Sequence, residues 1–136
     1  MAMCKVSTTA HFVQITQRSS PNGAHWVPNT DIYATEEGLV VKLELAGMRS
    51  ENLQITVEGN KLRISGQRPD GCRAAKFNFL AMEISYGPFE NVLEMPPGYD
   101  LAQAKASYLN GFLRIDVPQS SKTPPAKRSK VSVVGK

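Results

Sequence analysis

Few side chains in this chain are of a type that does covalent chemistry. Histidine occurs only as His11 and His25, and cysteine only as Cys4 and Cys72. A nucleophile–histidine–acid relay needs its imidazole held by an ordered scaffold. Both histidines fall in the first 28 residues, which read as an arm. Two histidines and two cysteines could hold zinc, but their spacing matches no ligand pattern of that metal. They are taken as ordinary arm and loop residues. The carboxylates alternate with apolar residues, so a solvated face accounts for them better than an acid/base pair. No glycine-rich phosphate loop is present; "GPFENV" and "PPGYD" are turns. The expectation is a protein that is not an enzyme and carries no cofactor and no metal.

The elements that would position any site are written in period two. Leu39, Val41, Leu43 and Leu45 alternate with Lys42 and Glu44; Leu53, Ile55 and Val57 alternate with Gln54, Thr56 and Glu58. Leu62 and Ile64 continue the pattern, as do Leu113, Ile115 and Val117 against Arg114 and Asp116. Such alternation means strands with one buried face. Gly59-Asn60 and Asn110-Gly111 separate pairs of these runs, and Asn-Gly supplies the two positive-φ positions of a type I′ hairpin turn. Strands are expected near 30–35, 39–45, 52–58, 61–67, 75–80, 89–95, 104–109 and 112–118. No stretch has helical periodicity beyond single turns at "SENL" and "DLAQ". Many short strands at this spacing predict an antiparallel β-sandwich.

Charge divides the chain in three. All twelve acids lie between Asp31 and Asp116, so the net charge of +4 belongs to the two flanks. A basic flank and an all-β core leave single-strand nucleic-acid binding as an alternative. That function needs aromatic platforms among Lys and Arg. Phe77 and Phe79 beside Lys76 and Arg73 are read instead as one face of a strand, and the basic tail as a solubilising linker. No signal peptide or membrane-spanning run is legible, which predicts a soluble protein of a reducing cytoplasm. The acid-free start leaves an organelle presequence as the alternative.

Five stretches, in order, carry a resemblance. "DIYATEEGLVVKLELAGM", "LQITVEGNKLRISGQR", "MEISYGPFENVLEMP", "AKASYLNGFLRIDVP" and the terminal "VSV" together resemble the small heat-shock protein family of bacterial and plant type. The most specific element is A-x-x-x-N-G-x-L-x-I-x-x-P, matched by Ala106, Asn110, Gly111, Leu113, Ile115 and Pro118. "VSV" is a conservative form of the family's I-x-I/V tail motif. Ala46 stands where the family commonly has proline. Ile84 and Asn91 occupy positions that are often arginine, which removes cations that join ionic contacts across the family's dimer.

The resemblance implies an immunoglobulin-like antiparallel β-sandwich, the α-crystallin domain, at 29–118. A flexible N-terminal arm at 1–28 and a flexible C-terminal extension at 119–136 flank it. It also implies an ATP-independent holdase that captures partly unfolded client proteins and builds homo-oligomers from dimers, with no nucleic acid or membrane as partner. Val131 and Val133 would enter a groove on a neighbouring dimer, formed here by Leu53, Ile55, Val57, Ala104, Ala106 and Tyr108. The segment Ala74, Ala75, Lys76, Phe77, Asn78, Phe79 and Leu80 would cross to the partner subunit as a swapped strand. The apolar residues Phe12, Val13, Ile15 and Trp26 of the arm would either meet clients or serve as a packed assembly element. The alternative within this fold is an adaptor or co-chaperone sandwich, which needs neither the tail motif nor the swapped strand.

Overall fold

In the computed structural model the described residues are 14–15, 25–71, 75–120 and 129–135. Where the sequence alternates, the burial alternates. Strand β4 (Leu53–Glu58) buries Leu53, Ile55 and Val57 and exposes Gln54 and Glu58. β5 (Lys61–Arg68), β7 (Lys105–Leu109) and β8 (Phe112–Pro118) do the same from their own registers. β3 (Gly38–Glu44) departs from the pattern, because Val40 is buried as well as its inward neighbours. The inward faces meet in one core, in which Leu43, Leu45, Val57, Leu62, Ile64, Leu93, Leu113 and Ile115 are each 0% exposed. Removing this apolar surface from water supplies the main driving force for the sandwich.

Two five-stranded sheets face each other. The first runs β1 (Gln14–Ile15), β6 (Gly87–Glu94), β5, β4, β9 (Ser129–Val131). The second runs β10 (Val133–Gly135), β7, β8, β3, β2 (Thr30–Ala34). Every pairing is antiparallel except β10 on β7. The β7–β8 hairpin turns on Asn110 and Gly111, at φ 53° and 83°, the two left-handed residues that a type I′ turn requires. In the β4–β5 turn only Gly59 has positive φ, the pattern of a II′ turn. Single 3-10 turns at Ser50–Asn52 and Leu101–Gln103 are the only helical elements among the described residues.

Three elements differ from the sequence expectation. Residues 75–80 form no strand; the stretch 75–86 has no ladder partner among the described residues. Alternation there reports a face, but a strand also needs a neighbour for its backbone. The tail, expected to be a flexible extension, forms β9 and β10. Two arm residues, Gln14 and Ile15, pair with Glu94 and Leu93 on β6.

Gly66 lies at a close approach within the first sheet, flanked by the chain entering β4 and by Phe89 of β6. A Cβ there would run into the Asn52 carbonyl oxygen and the Phe89 ring. Gly66→Val is expected to cost about 1–3 kcal/mol through overpacking. A lower urea midpoint at unchanged slope is the readout, and an unmoved midpoint would show that β5 and β6 can spread to accept the side chain.

Candidate functional site

The most distinctive place on the molecule is the rim where the C-terminal segment crosses between the sheets. β9 adds to the edge of β4, placing Val131 opposite Ile55, Lys130 opposite Thr56 and Ser129 opposite Val57. One residue later the chain changes sheets. β10 adds to β7, placing Val133 opposite Ala106 and Gly135 opposite Tyr108. Ser132 is the step between the two. Val131 and Val133 are half-buried and pack against the core, as does Ala104. The tail thus completes both sheets on one side, and its valines enter the gap between them. An open cleft of about 590 Å³ runs beside it, bordered by Ser50, Asn52, Leu53, Val131, Ser132 and Val133.

Local sequence explains why the rim accepts this segment. Leu53, Ile55 and Val57 point inward and leave the backbone of β4 free at its edge. Ala106 on β7 is small enough for Val133 to sit alongside. Tyr108 has its ring buried, and its hydroxyl donates to the Leu45 carbonyl at 2.5 Å while accepting from the Met48 N–H at 3.2 Å. That hydroxyl ties β7 to the chain leaving β3, a role its place in the groove did not reveal. Beyond the valines, Gly135 lies so close to Ser50 that a Cβ would meet the serine side chain. The seat therefore extends past "VSV" to the glycine.

The opposite rim is unfinished. β2 pairs only with β3 among the described residues, so its outer edge has no ladder. The excursion that leaves β5 and returns to β6 carries a run of uncovered apolar side chains. Phe77 and Phe79 are half exposed, with rings in edge-to-face contact at 5.2 Å; Leu80 is 100% exposed, Met82 61% and Ile84 59%. Ala75, Lys76 and Asn78 are exposed beside them. Of the expected swap segment, only Ala74 lies outside the described residues.

The expected client-binding residues separate. Phe12 and Val13 lie outside the described residues, and Ile15 is placed by its backbone pairing alone. Trp26 is not a free arm residue. It is half-buried, its ring lies 5.2 Å from that of Phe89, and its Nε1 donates to the Gly87 carbonyl at 3.1 Å. Asn91, in a family arginine position, points into the core at 1% exposure and donates to Thr30 Oγ1 at 2.9 Å.

Nothing described assembles a reactive centre. Among the described residues no three His, Cys, Asp or Glu side chains are grouped to hold a metal ion. His25 is half-buried with Nδ1 unpartnered, and Cys4, His11 and Cys72 lie outside the described residues. Another open cleft, near Glu37, Asp100 and Lys105, includes Arg114, which is already paired with Asp116 at 3.0 Å. Hydrogen bonding to Asp116, and then its charge, raises the Arg114 pKa and keeps it a fixed cation.

Comparison with known proteins decides what kind of sandwich this is. The model of the Hsp20/alpha crystallin family matches residues 31–134, the described sandwich together with the seated tail. The chain belongs to that family. It is 31% identical over 121 residues to a 17.6 kDa class I heat shock protein of Arabidopsis thaliana, covering 81% of this chain and 77% of the relative. It is 29% identical over 110 residues to spore protein SP21 of Stigmatella aurantiaca, and there the match spans only 64% of the relative's length. Among solved structures, a small heat-shock protein from Xylella fastidiosa matches with a TM-score of 0.65 at 27% identity, covering 76% of this chain and 95% of that one. The α-crystallin domain expected from the five stretches is therefore the observed fold. No helix among the described residues is long and apolar enough to cross a membrane.

Two substitutions separate the parts of this small heat-shock protein's rim. Tyr108→Phe strands a buried N–H and a carbonyl and is expected to cost about 1–3 kcal/mol in the unfolding free energy. Gly135→Val should leave the domain's melting unchanged while exposing the tail to carboxypeptidase. Equal digestion of Gly135→Val and the parent chain would mean that the glycine seat is dispensable.

Proposed function

We propose that this chain is an ATP-independent holdase chaperone. It binds partly unfolded proteins, prevents their aggregation under stress, and assembles from dimers into larger oligomers through its tail. The observation that carries this reading is the tail lying as an added strand on both sheets. A segment that fits its own rim fits the identical rim of another copy, and exchanging identical elements is a low-cost route to assembly. Half-burial of each valine contributes less than the roughly 1.5–3 kcal/mol of a fully buried one. Ordering the tail offsets much of that gain. A single tail is weak, and several acting on one particle are firm. Such a shell can release subunits on warming.

The dimer follows from the opposite rim. Among the described residues β2 has no outer partner, and the 75–86 stretch carries exposed apolar residues and joins no ladder. Pairing that stretch from one subunit with β2 of the other satisfies both at once. The same uncovered residues, with Phe12 and Val13 of the arm, offer apolar surface to clients. The family relationship favours a chaperone without chemistry, and the two distant cysteines suit a reducing cytoplasm. The small heat-shock protein from Xylella fastidiosa has a distinct high order structure, which supports an oligomer here.

Aggregation of a heated model enzyme, followed by light scattering without ATP, tests the activity. The chain should suppress scattering near equimolar subunit ratio, and undiminished scattering would refute the holdase reading. Val131→Ser with Val133→Ser should shrink the native particle toward dimers in native mass spectrometry. An unchanged mass would remove the tail from assembly.

A further inference from the structure

The excursion between β5 and β6 has a structured base. Its last ladder pair is Arg68 with Gly87. The Arg68 guanidinium reaches across the base: Nε donates to the Ser85 carbonyl at 2.8 Å, and Nη2 donates to the same oxygen. The same cation lies 4.3 Å from the centre of the Trp26 ring and 5.6 Å from that of Tyr86. Trp26 is itself held on β6. Its N–H donates to the Pro88 carbonyl, its carbonyl accepts from the Glu90 N–H, and its indole N–H donates to the Gly87 carbonyl. Three separate segments therefore meet at one half-buried guanidinium: the end of β5, the end of the excursion and the base of the arm.

We propose that Arg68 is the positioning residue that aims the 69–86 excursion and couples its aim to the seating of the arm through Trp26. A planar guanidinium can donate twice to one acceptor while presenting a face to aromatic rings, which a lysine ammonium cannot do. The carbonyl it holds belongs to the residue two before β6, where the returning excursion joins the fold. Holding that carbonyl limits the directions in which the apolar run can leave the domain. When the arm lifts, Trp26 leaves the cation, and the guanidinium loses one of the surfaces that hold it over Ser85. Engagement of the arm thereby becomes legible at the segment that meets the partner subunit. The consequence for assembly rests on the strand-exchange reading given above; the clamp itself does not.

A double-mutant cycle on the full chain tests this. Arg68→Met keeps the stem and removes the fork. Trp26→Leu keeps bulk and removes the cation-binding face. The readout is the initial rate of tryptic cleavage after Lys76, which is exposed within the excursion. Each single variant should raise that rate about tenfold, and the double variant should match the faster single one, because both act through one contact. A wild-type rate for Arg68→Met, or a double variant whose rate is the product of the singles, overturns the coupling. Should Arg68→Met not fold, Arg68→Lys decides: it keeps the charge and loses the double donation, so it should cleave faster than the parent, and an unchanged rate overturns the clamp. In native mass spectrometry on dilution, Arg68→Met dimers should dissociate at higher concentration than the parent, and unchanged dissociation overturns the aiming role. A parent chain that is monomeric at every concentration would overturn strand exchange, while the cleavage cycle would still decide the clamp.

Discussion

A sheet that does not close on itself ends in a strand whose outer N–H and C=O groups face no partner, and a sandwich has four such edges. Most of what is distinctive here is a response to that constraint. At one rim the terminal segment covers two edges with a single short run, using Ser132 to step from one layer to the other. At the far rim Trp26 and Gln14–Ile15 lie along β6, while β2 has one neighbour among the described residues. The pairing energy lies in the backbone, so any chain of suitable side-chain shape can take the place of any other. That interchangeability is what a protein needs if its contacts are to be shared between copies and with unfolded chains.

The core permits this without being disturbed by it. The residues that hold the layers together come from the central strands and are fully enclosed. The valines of the tail touch the core only from its margin. Loss of the tail would uncover a margin and leave the centre intact. The excursion likewise hangs from the end of the β5–β6 pair, and its described residues contribute none of the fully buried side chains. Under the proposed assembly, association and folding would draw on different residues, so the edges could exchange partners at a smaller energetic scale than unfolding.

Much of the sandwich was legible in the sequence because period-two alternation is a local signal read against one solvent boundary. β4, β5, β7 and β8 lie within a residue or so of their expected places, and Asn110-Gly111 turns as its residue types demand. Residues 75–80 carry the same kind of pattern and are not a strand, because alternation says nothing about whether a neighbour exists. Position and composition place Trp26 in the arm, although its indole packs on Phe89, sixty-three residues away. The Arg68 contacts are illegible in the sequence for a related reason. A charged residue at a strand end normally points to water, and only folding brings Trp26, Ser85 and Tyr86 to it.

By itself the sequence determined which residues turn inward, where the hairpins reverse and which family the strand order resembles. Each of these follows from side chains within a few positions of one another. The tertiary structure alone decided which edges are covered, by which segments and in which direction, including the parallel seating of β10 on β7. Backbone hydrogen bonds bear no residue code, so edge pairing is chosen by the geometry of distant segments once the core has brought them together.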